Sequence, residues 1–246
     1  MPRALAALAA AILAVACATP ALAGEPARCP LPDPAALVGS IPAPGSPEAI
    51  SDLAIVLWEQ RTRTPEDVAR ARSEEELSLE DFAGALGPGF DPARHPLTEA
   101  LLARAVAASR PCVWAAKGAH ARPRPYAADP RVSPAVARED TASFPSGHAT
   151  RGALMAAVLA ELAPERREAL ARRGAQIGHD RVLAGVHYPS DVVAGQHLGA
   201  AIARALLADP ELRAAIADVR AKEWTMNRAP GLRPPPSAGG AETPAP

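Results

Sequence analysis

The sequence predicts an all-α protein folded as a single globular helical domain, and three observations carry that expectation. Apolar residues recur at three- and four-residue spacing over long stretches. Several of these stretches open with a helix-start signal, a capping residue followed by Pro and an acid. No run of alternating β-branched residues closed by a hairpin turn competes with them, which disfavours β and α/β architectures. Abundant Ala favours helix and permits close helix packing.

From the N-terminus, residues 1–23 read as a signal peptide. Arg3 is the basic n-region, Leu5 to Val15 the apolar run, and Ala21-Leu22-Ala23 a small-x-small cleavage pattern before Gly24. The expected location is therefore periplasmic or secreted, in a bacterium. Residues 24–45 are Pro-rich and read as an N-terminal arm with little structure of its own. Ser46-Pro47-Glu48 starts the helical domain, expected to span 46–227, and Ile50, Leu53, Ala54 and Leu57 follow at helical spacing. Thr64-Pro65-Glu66-Asp67 repeats the start chemistry. Further helices are predicted over 97–109, 111–120, 147–162, 165–184, 189–207 and 210–224. Residues 228–246, rich in Pro, Gly and Ala, read as a disordered tail.

Composition narrows the function classes. Loss of Arg3 with the leader takes 26 basic against 27 acidic residues to a net charge of −2, and aromatics make up only 3%. Neither a basic excess nor an aromatic platform for nucleic acid is present. The most apolar helices are interrupted by Gly or charge before about 18 apolar residues accumulate, so no membrane span is expected after leader removal. Cys17 leaves with the leader, and Cys29 and Cys112 remain as an even pair. A disulfide between them is the expectation and two buried thiols the alternative.

Three short blocks carry the chemistry. In Pro145-Ser146-Gly147-His148 a turn leads into a helix, so Ser146 can cap it while the amides of Gly147 and His148 face an anion. The bland reading is a helix cap beside an incidental histidine. In Arg181-x5-His187-x3-Asp191, the carboxylate can hold one imidazole nitrogen and leave the other as a neutral nucleophile. Alternatively, Asp191 only complements a helix dipole. In Lys117-x6-Arg124-Pro125, the Arg fork and the Lys point charge suit phosphate oxygens, although a solvated basic loop is the common fate of such a segment. Arg122 adds to this local concentration of positive charge.

Taken together, the blocks resemble the phosphatidic-acid-phosphatase type 2 superfamily, and most closely bacterial class A non-specific acid phosphatases. That family carries Lys-x6-Arg-Pro, Pro-Ser-Gly-His and Ser-Arg-x5-His-x3-Asp in this order. The chain departs at Asp180, where the family usually has Ser, and has Ala149 where Thr often follows. Ile41-Pro42-Ala43-Pro44-Gly45-Ser46 is similar to the family's Pro-rich lead-in. The resemblance implies a phosphoric monoester hydrolase without cofactor or metal, with small phosphate monoesters as substrates and a homodimer as a possible assembly. It implies that His187 attacks phosphorus, Asp191 orients it, and His148 serves the leaving alcohol and then water. Lys117, Arg124, Ser146, Gly147 and Arg181 would hold the phosphoryl oxygens. A vanadium-dependent haloperoxidase, a soluble lipid-phosphate phosphatase and a non-catalytic anion-binding protein are the alternatives. His95, His120, His179 and His197 read as loop, pocket-rim, supporting or packing residues, and Glu74-Glu75-Glu76 as a solvated face.

Overall fold

The computed structural model describes residues 28–224, so the expected leader, the first residues of the expected arm and the expected tail lie outside the described residues. Ten α-helices joined by short 3-10 turns make up the fold, and no strand occurs among the described residues. Seven helices begin with Pro, whose fixed φ suits the first turn and whose missing N–H has no partner there anyway. They are α1 (Pro34–Val38), α2 (Pro47–Thr62), α3 (Pro65–Ser73), α5 (Pro96–Ala119), α6 (Pro125–Ala128), α9 (Pro189–Ala208) and α10 (Pro210–Val219). The other three are α4 (Ala83–Leu86), α7 (Gly147–Leu162) and α8 (Arg167–Leu183). Ser46 and Thr64 cap α2 and α3 as their sequences suggest, and Thr64 with Asp67 completes a capping box.

α7, α8 and α9 pack against one another as the centre of the domain. Leu154, Leu159, Leu170, Ile177, Leu198 and Ile202 fill the core between them. Gly sets the spacing. A Cβ on Gly195 would lie 2.4 Å from the Ser146 carbonyl, and one on Gly199 2.3 Å from that of Thr150. The α7 and α9 backbones therefore touch where α7 begins. Only Gly permits that approach, and it brings the start of α7 beside the first turns of α9.

Two expectations about elements change. The segments 97–109 and 111–120 form one helix, α5, with Pro111 inside it. Pro111 costs one backbone bond, but buried Ala105, Cys112 and Ala116 on either side hold the helix through. The arm is also more ordered than its composition suggests. Asp33 caps α1, α1 packs on α5 and α9, and Cys29 is bonded to Cys112 in α5. α10 ends at Val219 and passes into a wider turn over Arg220–Trp224.

Candidate active site

Two helix starts and one helix end meet at the site. α8 ends at Leu183; Ala184 follows, and Gly185 takes φ 75°. This reversal lets the amides of Val186 and His187 donate to the Arg181 carbonyl, at 3.1 and 3.2 Å. The five-residue gap between Arg181 and His187 is thus the length of a helix-terminating turn. α9 then begins, and Asp191 in its first turn accepts from the Tyr188 amide at 2.9 Å. Asp191 therefore serves both readings offered by the sequence: it closes the helix start and it orients His187. Its Oδ2 lies 3.3 Å from His187 Nδ1.

The start of α7 is stitched to this turn, because the Ser146 amide donates to the Asp191 carbonyl at 2.9 Å. Ser146 is fully buried and its Oγ accepts from the Ala149 amide at 3.3 Å, so its hydroxyl caps α7. Gly147 is the first helical residue and His148 the second, buried, with Nε2 3.3 Å from the Glu75 carbonyl.

The cations surround the two histidines. Arg124 is 3% exposed; it donates to the Val186 carbonyl at 3.1 Å and brings Nη1 to 3.3 Å from His187 Nε2. Its remaining donors reach Thr141 and Glu139. Glu139 is half exposed, so an incoming anion can compete with it for the guanidinium. Lys117, near the end of α5, donates to the Ala142 carbonyl. Arg181 reaches back from α8 to α3, donating to the Ala71 carbonyl and, at 2.9 Å, to Glu74. Its Nε is buried with no hydrogen-bond partner, a donor group prepared for an acceptor that the chain does not supply.

Burial and charge set the protonation states. His187 is lowered to about 4 by burial, helped by Arg124 and Lys117 and opposed by Asp191. His148 is lowered well below the usual imidazole range by burial, then by Arg151, Arg181 and His187. Burial, with the charge of Arg124, also lowers Lys117, to about 8. Asp191 stays below the carboxylate range because His187, Arg122 and Ser143 favour its anion over the opposing effect of burial. The site thus holds two neutral imidazoles beside cations, an environment that favours binding an anion. A bound dianion would in turn raise His148.

All eight residues singled out by sequence lie in this region, but several of their supports were missed. Arg122 donates to Asp191 Oδ1 at 2.6 Å, to Ser190 at 2.7 Å and to Asp52 at 2.8 Å. Ser143 donates to Asp191 Oδ2 at 2.5 Å. The Arg-x-Arg pattern at 122 and 124 hinted at the first; nothing local marks Asp52 or Ser143. Of the Glu74–Glu76 run, expected as a solvated face, Glu75 and Glu76 are exposed and Glu74 is not. Glu74 is fully buried between Arg173 and Arg181. Asp180, the departure from the family pattern, accepts two bonds from Arg70, at 2.8 and 2.9 Å, and one from Gln176 at 2.9 Å. His120 caps the end of α5 near the Ala35 carbonyl and stacks edge-on against Phe144, while exposed His179 pairs with Glu59.

The sequence is similar to those of known proteins. The PAP2 superfamily model matches residues 97–214. The non-specific acid phosphatase of Salmonella typhimurium (strain LT2) is 46% identical over 78 residues, 32% of this chain and 31% of that protein. The acid phosphatase of Zymomonas mobilis is 34% identical over 139 residues, 55% of this chain and 53% of that one. The lipid A 1-phosphatase of Rhizobium johnstonii is 47% identical over 58 residues, 24% of each chain. The chain spans about a third of the Salmonella protein's length and about half of the Zymomonas protein's. The PAP2 superfamily model thus covers the stretch from α5 through the His187–Asp191 turn and into α10.

Proposed function

We propose that the protein is an exported, metal-independent acid phosphatase that hydrolyses phosphate monoesters through a phosphohistidine. The observation that carries this reading is the His187 ring: Nδ1 is turned to Asp191, while neutral Nε2 sits 3.3 Å from the Arg124 guanidinium. A nucleophile and an oxyanion clamp share one point. Anion binding alone requires neither the orienting carboxylate nor a second histidine.

In this reading Arg124, Lys117 and Arg181, with the amides at the start of α7, hold the three phosphoryl oxygens. His187 Nε2 attacks phosphorus, the P–O ester bond breaks, and a protonated His148 gives its proton to the leaving alkoxide. His148 then takes a proton from water, whose oxygen attacks the phosphohistidine and releases inorganic phosphate. Fixed positive charge supplies most of the acceleration, since charge spreads over those oxygens in the transition state. General acid help from His148 contributes about 10²–10⁴-fold. Burial and neighbouring cations keep His148 neutral by themselves, so the substrate dianion would recruit its proton. Export is supported by the leader-like residues 1–23 and by the Cys29–Cys112 bond, which suits an oxidising compartment.

The test is release of phosphate from an aryl phosphate by the wild type, by His187→Ala and by wild type dialysed against a chelator. The reading expects loss of activity only in His187→Ala. Equal rates in that variant and the wild type contradict the mechanism, and loss on chelation contradicts metal independence. A phosphorylated lipid as substrate is a second reading, favoured by the similarity to a lipid A 1-phosphatase. Comparing kcat/KM for an aryl phosphate and a short-chain lipid phosphate separates the two.

A further inference from the structure

Arg151 lies on α7 three residues past His148, so the two share a helix face about 4.5 Å apart along the axis. A long helical side chain leans back over the preceding turn, which directs the Arg151 guanidinium toward the start of α7 and the site. It finds no partner there. Its side chain is half-buried and its Nε fully so, yet it donates no hydrogen bond and makes no ion pair among the described residues. The two acids that act on it electrostatically are otherwise placed: Glu139 accepts from Arg124 at 2.7 Å, and Glu76 is exposed. A buried donor that the chain leaves without an acceptor is suited to an acceptor that a ligand brings.

α5 forms the facing wall. A Cβ on Gly147 would stand 3.8 Å from Val113 Cγ1, so this stretch of α5 runs beside the first turn of α7. Arg110 and Lys117 stand one turn to either side of Val113, on the same face of α5. Lys117 is buried at the site, whereas Arg110 is exposed and makes no ion pair among the described residues. Positive charge thus continues outward from Lys117 and His148 through Arg151 and Arg110. His187 is flanked by Arg124 and Lys117, while Arg151 is the charge that acts most strongly on His148.

We propose that Arg151 is a specificity-determining residue that receives a second anionic group, carried on the alcohol part of the substrate. The inference rests on the reading that His148 serves the leaving alcohol, because groups beyond His148 then meet that alcohol and not the transferred phosphoryl. The substrate class is phosphate monoesters whose alcohol bears its own oxyanion a few bonds from the ester oxygen. The reaction at phosphorus is unchanged: His187 Nε2 bonds to phosphorus, the ester P–O bond breaks, and the His148 proton goes to the ester oxygen. Arg151 holds the oxyanion of the departing alcohol through a charge-assisted hydrogen bond, and Arg110 adds attraction from the solvent side.

Two aryl phosphates of matched shape test this: carboxyphenyl phosphate, with an anionic leaving group, and carbamoylphenyl phosphate, with a neutral one. Both are compared with wild type and Arg151→Gln at about pH 6, where the carboxylate is ionised. The ratio of kcat/KM, anionic over neutral substrate, should fall about tenfold or more in Arg151→Gln, mostly through KM. Comparing that ratio between proteins cancels the intrinsic difference in reactivity of the two esters. An unchanged ratio would overturn the inference. An equal loss on both substrates would also overturn it, by assigning Arg151 to the transferred phosphoryl or to the fold. A second measurement needs only the wild type: hydroxybenzoate should inhibit hydrolysis of the neutral ester at about tenfold lower concentration than hydroxybenzamide. Equal inhibition by the two would contradict the proposal. If His148→Ala hydrolyses both esters at the wild-type rate, the reading of His148 fails and takes the inference with it.

Discussion

In the proposed mechanism His187 and His148 face opposite demands; burial among cations meets that of His187 and leaves the proton of His148 to be drawn in by the substrate. A nucleophilic imidazole must be neutral, and His187, lowered to about 4, is neutral through mild acid. kcat/KM should therefore persist in mildly acidic solution and fall as the pH drops through about 4, measured as a pH–rate profile on the free enzyme. The same depression carries a stability cost. Unfolded His187 binds a proton near the ordinary imidazole range and folded His187 does not, so stability declines as pH falls from about 6.5 to about 4, by up to about 3 kcal/mol. Melting curves of wild type and His187→Asn should converge in acid. Equal pH dependence in the two proteins would contradict the buried neutral state. At this scale the residues proposed as nucleophile, acid and clamps were legible in sequence, because each sits in a local spacing pattern. The sequence did not disclose Asp52 or Glu74, which reach the site from α2 and the end of α3, or Ser143, which stands just ahead of the Pro145–His148 block but outside its pattern. Within the Glu74–Glu76 run only Glu74 departs from the expected solvated face, and for a physical reason. Charge runs are normally solvated, and only the guanidinium groups of Arg173 and Arg181 make burial of Glu74 tolerable.

Among the elements, contact between α7 and α9 is what turns scattered motifs into one site. The Ser146 carbonyl lies 2.4 Å from where a Cβ of Gly195 would stand, so Gly195→Ala must push the start of α7 away from Asp191. We expect a loss of about 1–3 kcal/mol in denaturant unfolding, together with a fall in kcat, since His148 rides on that helix start. Gly84→Ala, with no neighbour inside 4 Å, is the control and should leave both nearly unchanged. If Gly195→Ala were as benign as the control, the close-packed crossing could not be what holds the site. The helices were legible in sequence because Pro at the first position and Ser or Thr caps mark their starts; α7 runs over the expected 147–162. The failure at α5 has a reason of the same kind. Pro111 is a stop signal read locally, and only the tertiary packing around Cys112 and Ala116 overrides it.

For the whole molecule, the covalent tie between the arm and α5 matters as much as the core. The Cys29–Cys112 bond closes a loop with a sequence separation of 83, long enough for its removal to cost about 2–5 kcal/mol. Reduction, or Cys29→Ser, should lower the melting temperature while leaving the pH–rate profile of the remaining folded protein in place. An unchanged melting temperature would mean that the arm is not coupled to the domain. Lys117 lies on the same helix as Cys112, so the tie also steadies one of the cations. The central claim, however, is chemical: His187 carries the phosphoryl group between substrate and water. It is tested most directly by acid-free quenching during turnover of an aryl phosphate, followed by mapping of any phosphorylated peptide by mass spectrometry. The account predicts an acid-labile, alkali-stable phosphate on His187 that is absent from His187→Ala. An active wild type whose phosphate maps to another residue, or whose His187→Ala variant turns over at the same rate, would contradict it.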